Sequence, residues 1–429
     1  MKHPNLRRPG RQTERGAATL VVVMVMFLIL ALMAAYANRN LVFEQRIASN
    51  YVRSSMATEL AEAGVEWALA QLNGRNIDAA CSASSDSSGS SFRGRYLSQN
   101  PSTRAVSPAV IPNTQMAASC MRSGDSAWAC QCPEPGHWAD AAPPASNISP
   151  SSFGVQFQPI DRPGVLRIVS AGCTGSSLTV CSQPIGAAAI DPTLSSATVR
   201  IEVALLSALQ TPPAAPLVLR GTLSADELGL HNTELRSGGT LMNSGGRAPT
   251  LSADRLFSLP GAPAAQVLIG EDPTLAAVTP DAMFRLFFGL PAGKYLNQPA
   301  VLSLQCSADC SSALLNAYNG GARMIRVRGP LALSTNVTLG TLASPLLIVA
   351  EGPVTLTGPM NITGLIYARA DVNWANAGGT PALLTGALIS EGSVQISGHV
   401  DLWYQAAVMD ALSNVTGSFV RVPASWTDG

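Results

Sequence analysis

The 429 residues sum to zero net charge, with only 13% charged and 5% aromatic side chains against 37 glycines and 30 prolines. No basic excess draws the whole molecule to nucleic acid, and the Gly/Pro punctuation argues for short strands over a helix bundle. A chain this long has room for two or three domains with cores of their own.

The charge is unevenly placed. Lys2, Arg7, Arg8, Arg11 and Arg15 against Glu14 give residues 1–16 a net +4, leaving −4 for the rest. From Ala17 to Ala37 (AATLVVVMVMFLILALMAAYA) no residue is charged. As a helix this run spans about 30 Å, the thickness of the hydrocarbon core. The basic side stays cytoplasmic and the remainder is sent outward. The run is too long for an ordinary signal-peptide core and no A-x-A site follows, so it reads as a retained anchor. Arg15-Gly16 stands directly before it, so a cut after Gly16 would remove the basic leader and keep the helix. Leu41, Ile47, Tyr51, Met56, Leu60, Ala63, Trp67 and Leu72 continue near helical spacing among Glu44, Arg46, Arg53, Glu59, Glu62 and Glu66. Asn73-Gly74 supplies a stop, which predicts one helix from Ala17 to about Leu72.

On these residues the sequence resembles type IV pilins, and more narrowly the PilX-type minor pilins. The resemblance rests on Arg15-Gly16-Ala17-Ala18-Thr19-Leu20, on Glu44-Gln45-Arg46-Ile47-Ala48-Ser49-Asn50, and on Ala61-Glu62-Ala63-Gly64 with Trp67-Ala68-Leu69. It implies cleavage between Gly16 and Ala17 by prepilin peptidase, N-methylation of Ala17, and packing of the apolar helix into a filament core. It implies as partners other minor pilins, the major pilin and the inner-membrane assembly machinery, with a large tip adhesin as a further candidate. The location implied is the bacterial inner membrane, single-pass with a periplasmic head, and then the pilus. One position departs from the family. Major pilins carry a glutamate five residues after the cut, where it pairs with a neighbour's terminal amine; here that residue is Val21. An unpaired carboxylate is costly in lipid, so Val21 favours a tip or initiating role over a branch that merely tolerates the loss.

Eight cysteines, Cys81, Cys120, Cys130, Cys132, Cys173, Cys181, Cys306 and Cys310, all follow the apolar run, which fits disulfides in an oxidising compartment. Their pairing is open. Cys120, Cys130, Cys132 and His137 have the ligand types of a zinc site, but the C-x-C spacing is not a C-x2-C knuckle and disulfides are preferred. The Ser/Gly-rich stretch from Cys81 reads as a loop. Alternating runs Phe153–Phe157, Val165–Val169 and Val199–Ala204 predict a small antiparallel sheet, with Cys173 and Cys181 placed to staple a hairpin. A long helix followed by such a sheet is the pilin layout. Thr211-Pro-Pro-Ala-Ala-Pro216 reads as a stiff linker.

Beyond it lies an internal repeat. Met324–Ser334, Leu347–Thr357 and Leu365–Ala375 align, with a shorter fourth copy at Leu388–Ser397. Period-two alternation broken by glycine at matching positions is what stacked rungs of a parallel β-solenoid require. The fifth position reads Arg328, Glu351, Arg369 and Glu391, predicting a ladder of alternating charge about 4.8 Å apart. A sugar-cleaving groove built on these charges is the functional alternative to a structural ladder. Thr279-Pro280 begins a short helix through Met283-Phe-Arg-Leu-Phe-Phe-Gly289. This helix, Tyr295 and the Cys306/Cys310 pair also resemble the heads of large PilX-like proteins.

No H-E-x-x-H, G-x-S-x-G, P-loop, S-x-x-K or EF-hand pattern occurs, so no catalytic residue, cofactor or metal is assigned. Trp374, Trp403 and Tyr404 fit core packing better than a sugar-binding patch. The expected organisation is α+β then mainly β: a leader (1–16), transmembrane and amphipathic helix (17–74), cysteine-containing pilin-like domain (75–210), linker (211–216) and solenoid-like head (217–429) with repeats from about 324 to 404. The expected function is a non-enzymatic minor pilin that helps initiate or cap a pilus. A type II secretion pseudopilin of the large tip class and a signal-anchored, glycan-active solenoid enzyme are the alternatives.

Overall fold

The computed structural model describes residues 17–78, 80–84, 86, 89–109, 118–122, 128–132, 151–175 and 194–428. Two compact units divide at Met56/Ala57 and are taken in turn.

The first is helical, the beginning of a helix that runs Ala17–Leu72. Alanine, leucine and valine are its commonest residues, and neither glycine nor proline interrupts it before Gly64. Apolar side chains cover its whole circumference from Leu20 to Met33, all of them exposed. It is long and apolar enough to cross a membrane. A helix greasy on every side, with its backbone hydrogen bonds closed internally, suits lipid rather than water.

The second unit begins on the same helix, where Ala57, Leu60, Ala61, Val65, Ala68 and Leu72 form a buried stripe. The stripe is made largely of small residues because the sheet beneath comes very close. A Cβ on Gly172 would lie 2.2 Å from the Ala57 carbonyl oxygen, and one on Gly64 would lie 2.1 Å from Ser170 Oγ. Trp67, predicted on this face, instead packs at its margin, edge-on to Phe92 at 5.5 Å. The sheet is antiparallel. In spatial order it comprises Gly417–Arg421, Ser196–Ser207, Val165–Cys173, Ser152–Pro159, Ala118–Arg122 and Trp128–Gln131. Thr427–Asp428 pairs with the Ser196–Ser207 strand as well.

The edge strand Gly417–Arg421 corrects the expected division. The last residues do not belong to a separate head; they return to complete the sheet beside the long helix. Asn73 fixes this closure: its Nδ2 donates to the Phe419 carbonyl (2.9 Å) and its Oδ1 accepts from the Phe419 N–H (2.8 Å). Residues 211–216 are likewise not a free linker. Gln210 and Thr211 N–H groups both donate to the Phe287 carbonyl, and Ala208, Leu209 and Ala215 are buried.

Between these sections the chain winds through three parallel ladders around one apolar core. In the first, Leu302, Ile325, Ile348, Ile366, Leu388, Leu217, Met242 and Leu268 occupy one column. The second stacks Leu333, Leu356, Trp374, Ile396 and Ala225. The third stacks Leu339, Ile362, Leu384, Leu402, Leu230 and Leu256. Glycines turn the corner between the third ladder and the first. Gly364 and Gly386 have φ of 152° and 143°, and a Cβ on either would meet a backbone oxygen within 2 Å.

Two features of the repeat differ from expectation. The fourth copy starts at Ala387, which pairs with Leu365, so no residue is missing. The stack also exceeds residues 324–404: Val301–Leu304 precedes it, and Leu217–Leu219, Met242–Ser244 and Leu268–Ile269 extend the other end. Chain order and stacking order therefore disagree.

The outer side of the first ladder is covered by helices Pro280–Phe288 and Ala406–Asn414. Thr279 Oγ1 caps the former through the Ala282 N–H, and Gly289, at φ 72°, ends it. Phe284, Phe288 and Tyr295 gather around Tyr367 of the ladder, with the Phe284 and Phe288 rings 5.2 and 5.1 Å from it. Each such buried side chain contributes about 1.5–3 kcal/mol. A strand covered on both sides reads as a continuous apolar run, which Leu346–Ala350 (LLIVA) is.

Candidate functional site

Among the described residues the longest run of exposed large apolar side chains is on the helix itself. Val21, the fifth residue after Gly16, is 58% exposed and lies among Leu20, Val22, Met24 and Val25, all exposed. Between Ala17 and Asn38 the helix carries no charge, so contact with a neighbour there rests on close side-chain packing rather than ion pairs. Ala17 opens the helix. Gly16 and the basic leader lie outside the described residues.

Seven of the eight cysteines fall within the described residues, and all seven are disulfide-bonded. Cys81 pairs with Cys132, Cys120 with Cys130 and Cys306 with Cys310. The Cys120–Cys130 bridge joins opposed residues of adjacent strands. Cys173 ends a strand, and Cys181 lies outside the described residues, as does His137. Oxidised sulfur is a poor zinc ligand, and among the described residues no group of three or more His, Cys, Asp or Glu is placed to hold a metal ion.

The four charged residues of the repeat occupy successive rungs, each directly after a paired strand residue. Their partners differ from the expected ladder. Glu351 receives both Nε (3.0 Å) and Nη2 (2.9 Å) of Arg326, not Arg328. Two residues apart on an extended chain, the two arginines share a side, but only Arg326 lies within the strand, which holds it toward the next rung. Arg369 contacts Glu391 at 3.4 Å and also reaches Asp281 at 3.1 Å. Glu391 is almost fully buried and accepts a 2.8 Å hydrogen bond from the Tyr367 hydroxyl. Burial pushes its carboxyl above the ordinary glutamate range, while Tyr367, Arg369 and Arg220 pull the other way. The next rung adds Arg220, whose Nε donates to the Glu391 carbonyl at 2.8 Å. Sequence reasoning missed this fifth rung, although Leu217–Ala225 (LVLRGTLSA) runs parallel to Leu388–Ile396 (LISEGSVQI).

The three aromatic residues singled out in sequence do not form one patch. Trp374 is fully buried in the second ladder, its Nε1 donating to the Gly358 carbonyl at 3.3 Å. Trp403 belongs to the third ladder and is half exposed; Tyr404 is half-buried against the helix-covered face. The companions of Trp403 are His231 and Phe257 on the next rungs, with ring centroids at 4.8 Å and, between His231 and Phe257, 4.5 Å. Beside them Asp401 accepts from Arg255 at 2.8 Å and faces His399 at 3.3 Å and His231 at 3.7 Å. Burial lowers the His231 imidazole, with Asp401 acting against it. The charges here balance each other across rungs, as cross-strand pairs do.

Comparison with known proteins adds one family. Residues 15–66 match the model of the PilX N-terminal family. No curated protein sequence matches the chain. Among solved structures, the competence-associated pilin ComZ from Thermus thermophilus aligns over 88% of this chain and 97% of its own, at 10% identity and a TM-score of 0.23. The family match and the uninterrupted apolar helix coincide on the same residues. The N-terminal segment is thus similar to that of the PilX N-terminal family.

Proposed function

We propose that the protein is a minor pilin that primes or caps a type IV pilus and carries a β-solenoid-like head at the tip. The observation that carries this reading is the helix surface around Val21: apolar on every side, exposed, and lacking the acid that would pair with a subunit above. Before assembly the helix lies in the inner membrane with the rest of the chain in the periplasm. Prepilin peptidase cuts between Gly16 and Ala17, and Ala17 is N-methylated. The freed helix then packs against those of the other minor pilins and the major pilin, within the inner-membrane assembly machinery, and the head is free to meet a tip adhesin. No step requires catalysis by this chain, a cofactor or nucleic acid.

Mass spectrometry of the mature N terminus tests the processing: methylated Ala17 is expected, and a retained Arg7–Arg15 leader overturns the reading. Val21→Glu tests the tip role. An acid with no partner above it should reduce pilus number, because a carboxylate unpaired in an apolar environment is costly. Unchanged pili with Val21→Glu incorporated would place the subunit within the shaft instead.

A further inference from the structure

A cavity of about 150 Å³ lies where the end of the long helix meets the first rungs of the parallel stack. Three arginines line it, and among the described residues no aspartate or glutamate does. Arg75 follows the long helix, Arg93 sits on the short helix Phe92–Tyr96, and Arg323 directly precedes the strand Met324–Val327. The partners of Arg93 and Arg323 are all neutral. Arg93 donates to the Gly417 carbonyl at 3.0 Å and lies 6.0 Å from the Phe419 ring centroid. Arg323 donates to the Tyr318 and Ala322 carbonyls and to Ser344 Oγ, and stacks over the Tyr318 ring at 4.2 Å. The Arg75 side chain has no partner among the described residues. Burial and the like charge of Arg323 bring the Arg93 guanidinium down to about 10.

Three like charges on partly dry walls repel one another unless an anion sits between them. We infer that this cavity binds a tetrahedral oxoanion of the phosphate class, held by Arg75, Arg93 and Arg323. Guanidinium forks match phosphate oxygens two at a time, and a space of this size admits one such group. A wider opening of about 840 Å³ shares Arg75 and Leu302 with the cavity. It supplies an entrance and room for the substituent of a phosphomonoester. The arginines come from both the helix–sheet side and the stack, so the bound anion fastens the two together. This inference stands apart from the pilus assignment.

The test uses the full-length protein in a maltoside detergent at constant ionic strength. Its unfolding midpoint is followed as chloride is replaced by inorganic phosphate or by phosphoethanolamine. A rise of about 5 °C at phosphate roughly 100-fold above its Kd, growing with the logarithm of concentration, is expected for a domain this large. Arg75→Met, at an exposed and unbonded residue, should abolish the rise while leaving the chloride midpoint unchanged or higher, because a repelling charge has gone. Arg93→Met should abolish it too. A rise with phosphate alone marks a site for the free ion; a rise with both marks one that accepts a phosphomonoester. A rise of equal size in wild type and Arg75→Met is a general salt effect and overturns the proposal, as does no rise at all.

Discussion

Replacing Asn73 by leucine removes the fastening between the long helix and the C-terminal strand. Phe419 is buried on the edge strand of the antiparallel sheet, and its N–H and carbonyl point away from the neighbouring strand toward the Asn73 amide. The Leu69 carbonyl, also bonded to the Asn73 side chain, keeps the Asn73 backbone N–H at 3.2 Å and is not orphaned. Two buried backbone groups therefore lose their partners, at about 1–3 kcal/mol each. Because an edge strand can relax toward water, the expected total is about 2–4 kcal/mol. In hydrogen exchange this lowers the local opening energy of the peptide containing Gly417–Arg421, so its amides should exchange roughly 30- to 1,000-fold faster. Amides in Leu346–Ala350, in the middle of the first ladder, should keep their rates. Asn73→Asp, which retains the acceptor, should fall between the two. A change below about threefold at Phe419 in Asn73→Leu would refute the view that this side chain closes the sheet.

Three further outcomes are expected. Gly386→Ala should cost about 3 kcal/mol or more in urea unfolding, because its Cβ would lie 1.8 Å from the Gly364 oxygen. Gly329→Ala, at φ 83° with open space around it, should cost only about 1 kcal/mol; equal costs would contradict the close rung approach. Arg326→Met should lose about 1–2 kcal/mol for a half-buried bidentate pair, whereas Arg328→Met should stay within about 0.5 kcal/mol. The reverse order in thermal unfolding would restore the ladder as first read from sequence. For Glu391, the raised folded-state value means the folded chain holds the proton more tightly than the unfolded one. Its contribution is therefore full below the ordinary glutamate value and is lost as pH rises through the raised one. Glu391→Gln should flatten that part of the stability profile and match or exceed wild type at neutral pH; a marked neutral-pH loss would show that the contact with Arg369 dominates.

The helix was legible because an uncharged run and a capping residue are local signals, as were Thr279-Pro280 and the glycine that ends the next helix. The repeat was partly legible for the same reason: alternation and corner glycines recur at short range. Its register is obscured where Ala387 fills a position that Leu365 and Leu347 fill with leucine, because the nearest leucine, Leu388, stands one residue later. The rungs at Leu217, Met242 and Leu268 were hidden by strands of two or three residues and by a stacking order that does not follow the chain. The partner of Glu351 was misplaced because spacing places residues on rungs but not the reach of a guanidinium. Nothing in Gly417–Arg421 (GSFVR) distinguishes it from a loop strand, and its partner Asn73 lies 346 residues away. The arginine cavity was invisible for the same reason: its three members come from three elements with no common motif.

The return of Gly417–Arg421 to the start of the folded unit has a consequence for synthesis. A polypeptide emerges N terminus first, so the helix that would enter a fibre is made hundreds of residues before the strand that secures it. A molecule cut short anywhere along the ladders would carry the long apolar helix but leave the Asn73 amide without its Phe419 partner and one sheet edge bare. A chain that lacks Gly417–Arg421 would therefore be structurally distinct, at this sheet edge, from one that has it.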